Sequence, residues 1–213
     1  IKMEDSILQF IINVGKLKRK KRKGWTILHK IKDSESTADH SFRLAVLAWA
    51  LGREKKNLNL EKVVKMALLH DLCEVYAPDE TPYDPLLPAD QNQEKIAEII
   101  KTRSRVQYTP EQRQDRIDKK FASELSGIEK LAEKLPQDLK IELKSLWLDF
   151  TKGLSPEAKF VKQLDKMENL LQAMEYWKEQ GQIQKDLWII AAKEWCLDKD
   201  LLEFLEKIDK EFI

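Results

Sequence analysis

The stretch LEKVVKMALLHDLCEVYAPDETP, residues 60–82, decides the fold class and contains the first candidate site residues. The apolar residues of its first half surround the predicted helix almost completely, which predicts a central helix buried on almost all sides. An ionised carboxylate inside such a helix is costly unless it is paired or bound to a cation. His70, Asp71 and Glu74 nevertheless gather at its end, with Asp79 just beyond. A divalent metal would resolve this conflict; the alternative is a helix end that emerges into water with a solvated His-Asp pair.

The spacing of these residues matters because positions three or four apart are neighbours on a helix. His70 and Glu74 are four apart, and Asp71 and Glu74 are three apart. If the helix continues through them, the three side chains meet on one face.

Length and composition limit the class of protein. The chain has 213 residues, of which 42% are hydrophobic and 35% charged, as expected of one globular domain. The formal net charge of +1 gives no reason to expect a polyanionic partner. The longest apolar stretch, LAVLAWAL at 44–51, is far shorter than the ~20 residues of a membrane span. Cys73 and Cys196 show no metal or redox spacing, so we expect reduced thiols and a cytoplasmic location.

Helical periodicity dominates, and no alternating strand pattern is evident, so we predict an all-α fold. Helix starts are indicated by Ser36, by Thr109-Pro110 and by Ser155-Pro156, and helix ends by Gly52 and Gly181. The segment 76–88 has four prolines and is predicted to be a loop. The predicted helices cover about 4–14, 36–52, 60–75, 91–103, 110 onward, 136–150 and 156–181, followed by two shorter ones.

Two further candidate ligands lie elsewhere in the sequence. His40 stands just inside a helix start, next to the apolar face, and Asp165 flanks the apolar stripe of a long helix. Asp165 could equally be an exposed partner of Lys162 or Lys166. Two imidazoles and two carboxylates then form the candidate metal site: His40, His70, Asp71 and Asp165. Such a set suits a single bound divalent ion, and the candidates are manganese, cobalt, iron, nickel, zinc and magnesium.

These residues match the H…HD…D signature, and their surroundings resemble the HD-domain metal-dependent phosphohydrolases. Four blocks carry the resemblance, in order: KGW at 23–25, ESTADHSFRLAVLA at 35–48, HDLCEVYAPDETP at 70–82 and EAKFVKQLDKMENLLQAMEY at 157–176. They look like the bacterial and eukaryotic HD-domain 5′-deoxynucleotidases. The resemblance implies a homodimer and a single-domain HD-type helical bundle over 1–213. Its metal-binding core would lie at about 30–176, with C-terminal helices, 182–213, packed on it.

The resemblance also implies residue roles. His40, His70, Asp71 and Asp165 would hold the metal. Glu74 and Asp79 match the family's acidic residues that handle the water and the leaving group. Arg22 and Trp25 match its arginine and tryptophan near the substrate. Two departures stand out: Pro78 occupies a position where relatives often have glycine, and region 101–139 matches no block of the family.

The implied reaction releases phosphate from 2′-deoxynucleoside 5′-monophosphates by attack of metal-activated water. Glu74 and Asp79 would share the proton transfers, in an order that the sequence leaves open. Arg22 would clamp the phosphate with two hydrogen bonds, and Trp25 would offer a flat apolar face to the sugar or base.

Two other functions fit parts of the sequence. The same metal site would act on another nucleotide or a small phosphomonoester if region 101–139 reshaped the pocket. A non-enzymatic module would instead keep the metal for stability and bind nucleic acid through the basic run, residues 16–23, in which seven of eight residues are basic. We interpret the basic run as a solvated, flexible connector that draws anionic nucleotides toward Arg22, and expect neither nucleic-acid nor membrane binding. His29 lies outside every block and is predicted to be a surface or edge histidine.

Overall fold

The structure is a computed structural model that describes residues 3–81, 83–102, 108–181 and 183–212. Within these ranges the chain is helical, with an isolated β-bridge between Lys21 and Ser36 and no strand. The all-α prediction is confirmed. The α-helices are α1 (Met3–Val14), α2 (Thr37–Gly52), α3 (Leu60–Leu69), α4 (Gln93–Lys101), α5 (Pro110–Ala132), α6 (Gln137–Lys152), α7 (Pro156–Gln180), α8 (Lys185–Trp195) and α9 (Lys199–Glu211).

Most helix ends follow the predicted capping chemistry. Thr109 and Gln112 form a reciprocal capping box at the start of α5, and Ser155 caps α7. Gly181 ends α7 at φ +68°, a left-handed conformation that glycine adopts without steric cost. α4 is shorter than predicted, and Arg103 lies outside the described residues. Among the described residues, no helix combines the length and the apolar character that crossing a bilayer requires.

The chain divides into two compact units, each built from separate segments. The first unit consists of Ile1–Ala38 and Asp71–Lys144, and the second of Asp39–His70 and Ser145–Ile213. The chain therefore passes from the second unit to the first between His70 and Asp71. The predicted single domain, with a core at about 30–176, stays a prediction.

In the first unit, α5 packs on a short 3-10 turn, Leu72–Val75. Gly127 permits this approach, because a Cβ at that position would lie 2.5 Å from the carbonyl oxygen of Cys73. Ile128, Leu131 and Ala132 of α5 are buried. Region 101–139, which carries none of the four sequence blocks, thus supports through α5 the segment that carries Glu74.

In the second unit, α7 packs against both α3 and α8. α7 is buried along most of its length, through Phe160, Val161, Leu164, Met167, Leu170 and Met174. α3 contributes Val63, Met66 and Ala67 to the core, whereas its Leu68 is 45% exposed. The prediction that α3 is buried on almost all sides is therefore wrong.

The end of α3 also differs from the prediction. The α-helix stops at Leu69, His70 is its C-cap, and Asp71 leaves the helical conformation at φ −100° and ψ 10°. Glu74 follows in the 3-10 turn, so the prediction that one helix face carries all three side chains is wrong. The segment after the break is held in place by the Lys20 ammonium, which binds the carbonyls of Glu74 and Ala77 at 2.6 Å each.

Candidate active site

Three of the four predicted metal ligands converge in the second unit. His40 comes from α2, His70 from the end of α3 and Asp165 from α7, and their ligand atoms all lie within 4.8 Å of one another. His40 Nε2 is 3.2 Å from Asp165 Oδ1. Ligand atoms bind a first-row ion at about 2 Å, so two ligands of one ion lie at most about 4 Å apart. The His40–Asp165 pair lies inside that limit and the third ligand lies near both, so the three side chains form a candidate metal cluster.

Hydrogen bonds fix which nitrogen of each imidazole can bind a metal. His70 Nδ1 lies 2.8 Å from the Ala67 carbonyl, and His40 Nδ1 contacts the Glu168 carboxylate. A carbonyl or carboxylate can only accept, so Nδ1 of each ring carries the proton. In the neutral form of each ring, Nε2 is then the nitrogen that can bind a metal, the arrangement usual for histidine ligands.

Asp165 supplies a negative charge to the metal cluster. Burial alone would raise its pKa, but Lys166, His40 and His70 lower the pKa well below its usual value. Lys166 Nζ lies 3.4 Å from Oδ2, and Asn169 Nδ2 donates to Oδ1 at 3.1 Å. Two imidazoles and one ionised carboxylate fit a borderline divalent ion.

The fourth predicted ligand, Asp71, follows His70 in the chain but belongs to the first unit. There Arg22 Nη1 donates to Asp71 Oδ2 at 3.0 Å, and both side chains are less than one-fifth exposed. The residue predicted to bind phosphate is thus paired with a residue predicted to bind metal.

Glu74 is held in the 3-10 turn Leu72–Val75, just before the predicted loop, in the first unit. Its side chain is 11% exposed and accepts a hydrogen bond from Thr37 Oγ1 at 2.9 Å. The Lys20 ammonium binds the main-chain carbonyls of Glu74 and Ala77 and lies 4.0 Å from Glu74 Oε2. Both the backbone and the carboxyl group of Glu74 are therefore positioned by neighbouring residues.

Its surroundings also change the acidity of Glu74. Burial raises its pKa, Asp71 and Asp79 raise it further, and Arg22 and Lys20 lower it; the result is a pKa of about 7. A carboxyl group with this pKa can both accept and donate a proton near neutral pH, as general acid–base catalysis requires.

Asp79 is oriented by the basic run. The main-chain N–H of Lys23 donates to Asp79 Oδ2 at 2.8 Å, and Lys23 Nζ binds Asp84 Oδ2 at 2.6 Å. With Lys20, these contacts tie the basic run to the turn that bears Glu74 and to the loop that bears Asp79. The interpretation of the basic run as a solvated, flexible connector therefore does not hold at Lys20 and Lys23, whereas Lys18 and Arg19 are exposed to solvent.

Trp25 and His29 lie in and beside the helical turn Gly24–Leu28. Trp25 is 3% exposed, and its indole N–H donates to Glu35 at 2.9 Å. Its ring therefore packs inside the first unit rather than being presented at a surface. His29 is half-buried with its ring 5.8 Å from that of Trp25, and burial lowers its pKa to about 4.

Comparison with protein families gives a match over most of the chain. The sequence pattern of the HD domain matches residues 14–193. The chain belongs to the HD-domain family. The resemblance inferred from the four sequence blocks is confirmed.

Named relatives of this HD-domain protein are 5′-deoxynucleotidases. The 5′-deoxynucleotidase HDDC2 of Xenopus laevis is 35% identical over 171 residues, which cover 80% of this chain and 69% of the relative. The human protein of the same name is 34% identical over 171 residues, covering 80% of this chain and 68% of the relative.

Solved structures agree with the fold. A protein from Magnetospirillum magnetotacticum, described as a predicted metal-dependent phosphohydrolase, has a TM-score of 0.64 at 22% identity and covers 99% of this chain and 92% of its own. A conserved hypothetical protein from Pyrococcus furiosus has a TM-score of 0.65 at 26% identity, with coverage of 95% and 99%.

Sequence reasoning missed two residues next to the metal cluster, Arg43 and Glu168. Each stands three positions after a ligand, Arg43 after His40 and Glu168 after Asp165, so each shares a helix face with that ligand. This helical spacing from each ligand is visible in the sequence. It points to Arg43 and Glu168 only once the structure shows that the side chains of α2 and α7 meet.

Proposed function

We propose that this HD-domain protein is a metal-dependent 5′-deoxynucleotidase that releases phosphate from 2′-deoxynucleoside 5′-monophosphates. The observation that carries the proposal is the convergence of His40, His70 and Asp165 within 4.8 Å. The names of the relatives supply the substrate class. Asp71, adjacent to His70 in the sequence, is proposed as the fourth ligand on the family signature alone.

A divalent ion, when bound, supplies Lewis-acid activation of water and of the phosphoryl group. The chain's own residues handle the protons and the phosphate. Glu74, with a pKa of about 7, takes a proton from the attacking water and can return it to the departing 5′ oxygen. Asp79, oriented by the Lys23 N–H, is the second carboxylate for this transfer.

Arg22 binds the phosphate in this proposal. A guanidinium offers two parallel N–H donors to a phosphate, and in the structure its Nη1 already donates to a carboxylate, that of Asp71. Trp25, although buried, lies in the turn that follows Arg22 and is proposed to support the sugar or base side of the pocket.

The test is phosphate release by purified protein loaded with manganese or cobalt. The panel contains the four common deoxynucleoside monophosphates, their ribonucleotide counterparts and several small phosphomonoesters. We expect release from the deoxynucleotides, weaker release from the ribonucleotides, and none from His70→Ala. Equal rates for ribonucleotides, or activity only on another phosphomonoester, would favour the broader phosphohydrolase function. No release from any deoxynucleotide would refute the proposal.

The contacts of the basic run argue against the nucleic-acid-binding alternative. Lys20 and Lys23 bind carbonyl and carboxylate oxygens of the first unit, so both ammonium groups already make contacts within the protein. The native ion, a homodimer and a cytoplasmic location stay predictions. Metal analysis and light scattering of the purified protein test the first two.

A further inference from the structure

Arg43 connects α2 to a row of polar side chains on α7. Its Nε donates to Glu168 Oε1 at 2.8 Å, Nη2 donates to Gln172 at 2.8 Å, and Nη1 donates to both oxygens of Glu175 at 2.8 and 2.7 Å. The three acceptors are spaced four and three residues apart, so they follow one face of the helix. One guanidinium thus binds three side chains on the same face of α7.

Glu168 is the inner end of this network. Its side chain is fully buried, and it contacts Arg43 through Oε1 and His40 Nδ1 through Oε2. A buried carboxylate is strongly unfavourable unless its oxygens are paired. Both oxygens of Glu168 are paired here, one with a cation and the other with a residue of the metal cluster.

We propose that Glu168 and Arg43 are positioning residues for the metal cluster. Glu168 holds the Nδ1–H of His40 and so directs Nε2 toward Asp165 Oδ1, 3.2 Å away. Arg43 acts one step further out by fixing the Glu168 carboxylate. The inference rests on the metal centre of the proposed function, but not on its substrate.

The guanidinium geometry explains why an arginine stands at this position. Three nitrogens in one plane satisfy three different side chains at once, which a lysine ammonium on a flexible stem does not reproduce. Because Arg43 is 30% exposed while Glu168 is fully buried, the network links the surface of the second unit to its interior. Loss of either residue should loosen His40 without removing any ligand.

The direct test is cobalt binding by metal-free protein, measured by calorimetry and by the visible absorption of the bound cobalt. Glu168→Gln should bind cobalt about 10- to 100-fold more weakly than wild type, as found when second-layer partners of metal ligands are removed. At saturating cobalt its absorption spectrum should differ from that of wild type. Glu179→Gln, an equal charge change at an exposed site of the same helix, should change neither.

Arg43→Lys gives a second route that leaves Glu168 and His40 in place. We expect a smaller but measurable loss of cobalt affinity, with unchanged helical content by circular dichroism. If Glu168→Gln or, should it not fold, Arg43→Lys binds cobalt as wild type does, with the same spectrum, the positioning role is refuted. Wild-type protein that binds cobalt but releases no phosphate would refute the proposed function and leave this inference standing.

Discussion

Arg22 Nη1 donates to Asp71 Oδ2 at 3.0 Å in the first unit, and the two side chains are 16% and 19% exposed. Partial burial strengthens such a charge-assisted hydrogen bond relative to one at the surface. The pair joins a cation proposed for substrate phosphate to a carboxylate proposed for the metal.

Replacing Arg22 tests that role. Arg22→Lys keeps the charge but loses the paired N–H donors, and a hydrogen bond to a charged group contributes about 1.5–3 kcal/mol. We expect kcat/KM for a deoxynucleoside monophosphate to fall by about 10- to 100-fold. Arg19→Lys, an exposed arginine of the same basic run, is the matched control and should stay near wild type. Wild-type kinetics in Arg22→Lys would contradict a bidentate phosphate clamp.

Metal binding should stabilise the protein through two of its three histidines. A ligand at 100 times its Kd stabilises the native state by about 2.7 kcal/mol. Addition of manganese or cobalt to metal-free wild type should therefore raise its Tm, and His70→Ala should lose most of that increase. His29→Ala should keep it, because His29 packs beside Trp25 and takes no part in the metal cluster. A metal-induced shift retained in His70→Ala would contradict the assigned ligands.

Glu74 gives the metal-free protein a specific pH dependence. Its pKa is about 7 in the folded state, above the ordinary value of 4.5. As pH rises between these values, the unfolded chain releases this proton first, so higher pH favours unfolding. We expect wild type to lose about 2 kcal/mol more of its unfolding free energy than Glu74→Gln does between pH 5 and pH 8.

Urea denaturation in the presence of a chelator measures this difference. Glu179→Gln, at an exposed position, should follow the wild-type curve at both pH values. Parallel stability profiles for wild type and Glu74→Gln would show that the buried carboxyl carries no such penalty.

Local chemistry predicted the helices better than it predicted the site. Thr109, Ser155 and Gly181 act within one or two turns of the chain, so their capping roles were readable from sequence. The break after Leu69 was not, because the apolar pattern continues through the buried Leu72 and Cys73. The turn that follows the break is held by a contact that local sequence does not reveal, since Lys20 is 54 positions away from Glu74.

The candidate ligands show the same limit. Periodicity left Asp165 open as a surface partner of a lysine, and the family signature selected it as a ligand. In the structure Asp165 Oδ2 lies near Lys166 and Oδ1 lies near His40, so the carboxylate has a lysine neighbour and is also part of the candidate metal cluster. Glu168 escaped notice because its contact with His40 spans 128 positions and depends on the register between two helices.

Gly127 tests whether the packing of α5 sets the geometry of the turn that bears Glu74. In Gly127→Ala the new Cβ would meet the Cys73 carbonyl oxygen at 2.5 Å, a backbone atom that cannot move away by side-chain rotation. We expect a loss of about 1–3 kcal/mol in unfolding free energy, as for other overpacked sites, together with reduced kcat because the turn bearing Glu74 must shift.

Gly15→Ala, where the added Cβ meets nothing within 4 Å, is the matched control. Urea denaturation and steady-state kinetics on both variants measure the two effects, and Gly127→Ala with wild-type stability and kcat would show that α5 does not constrain the turn.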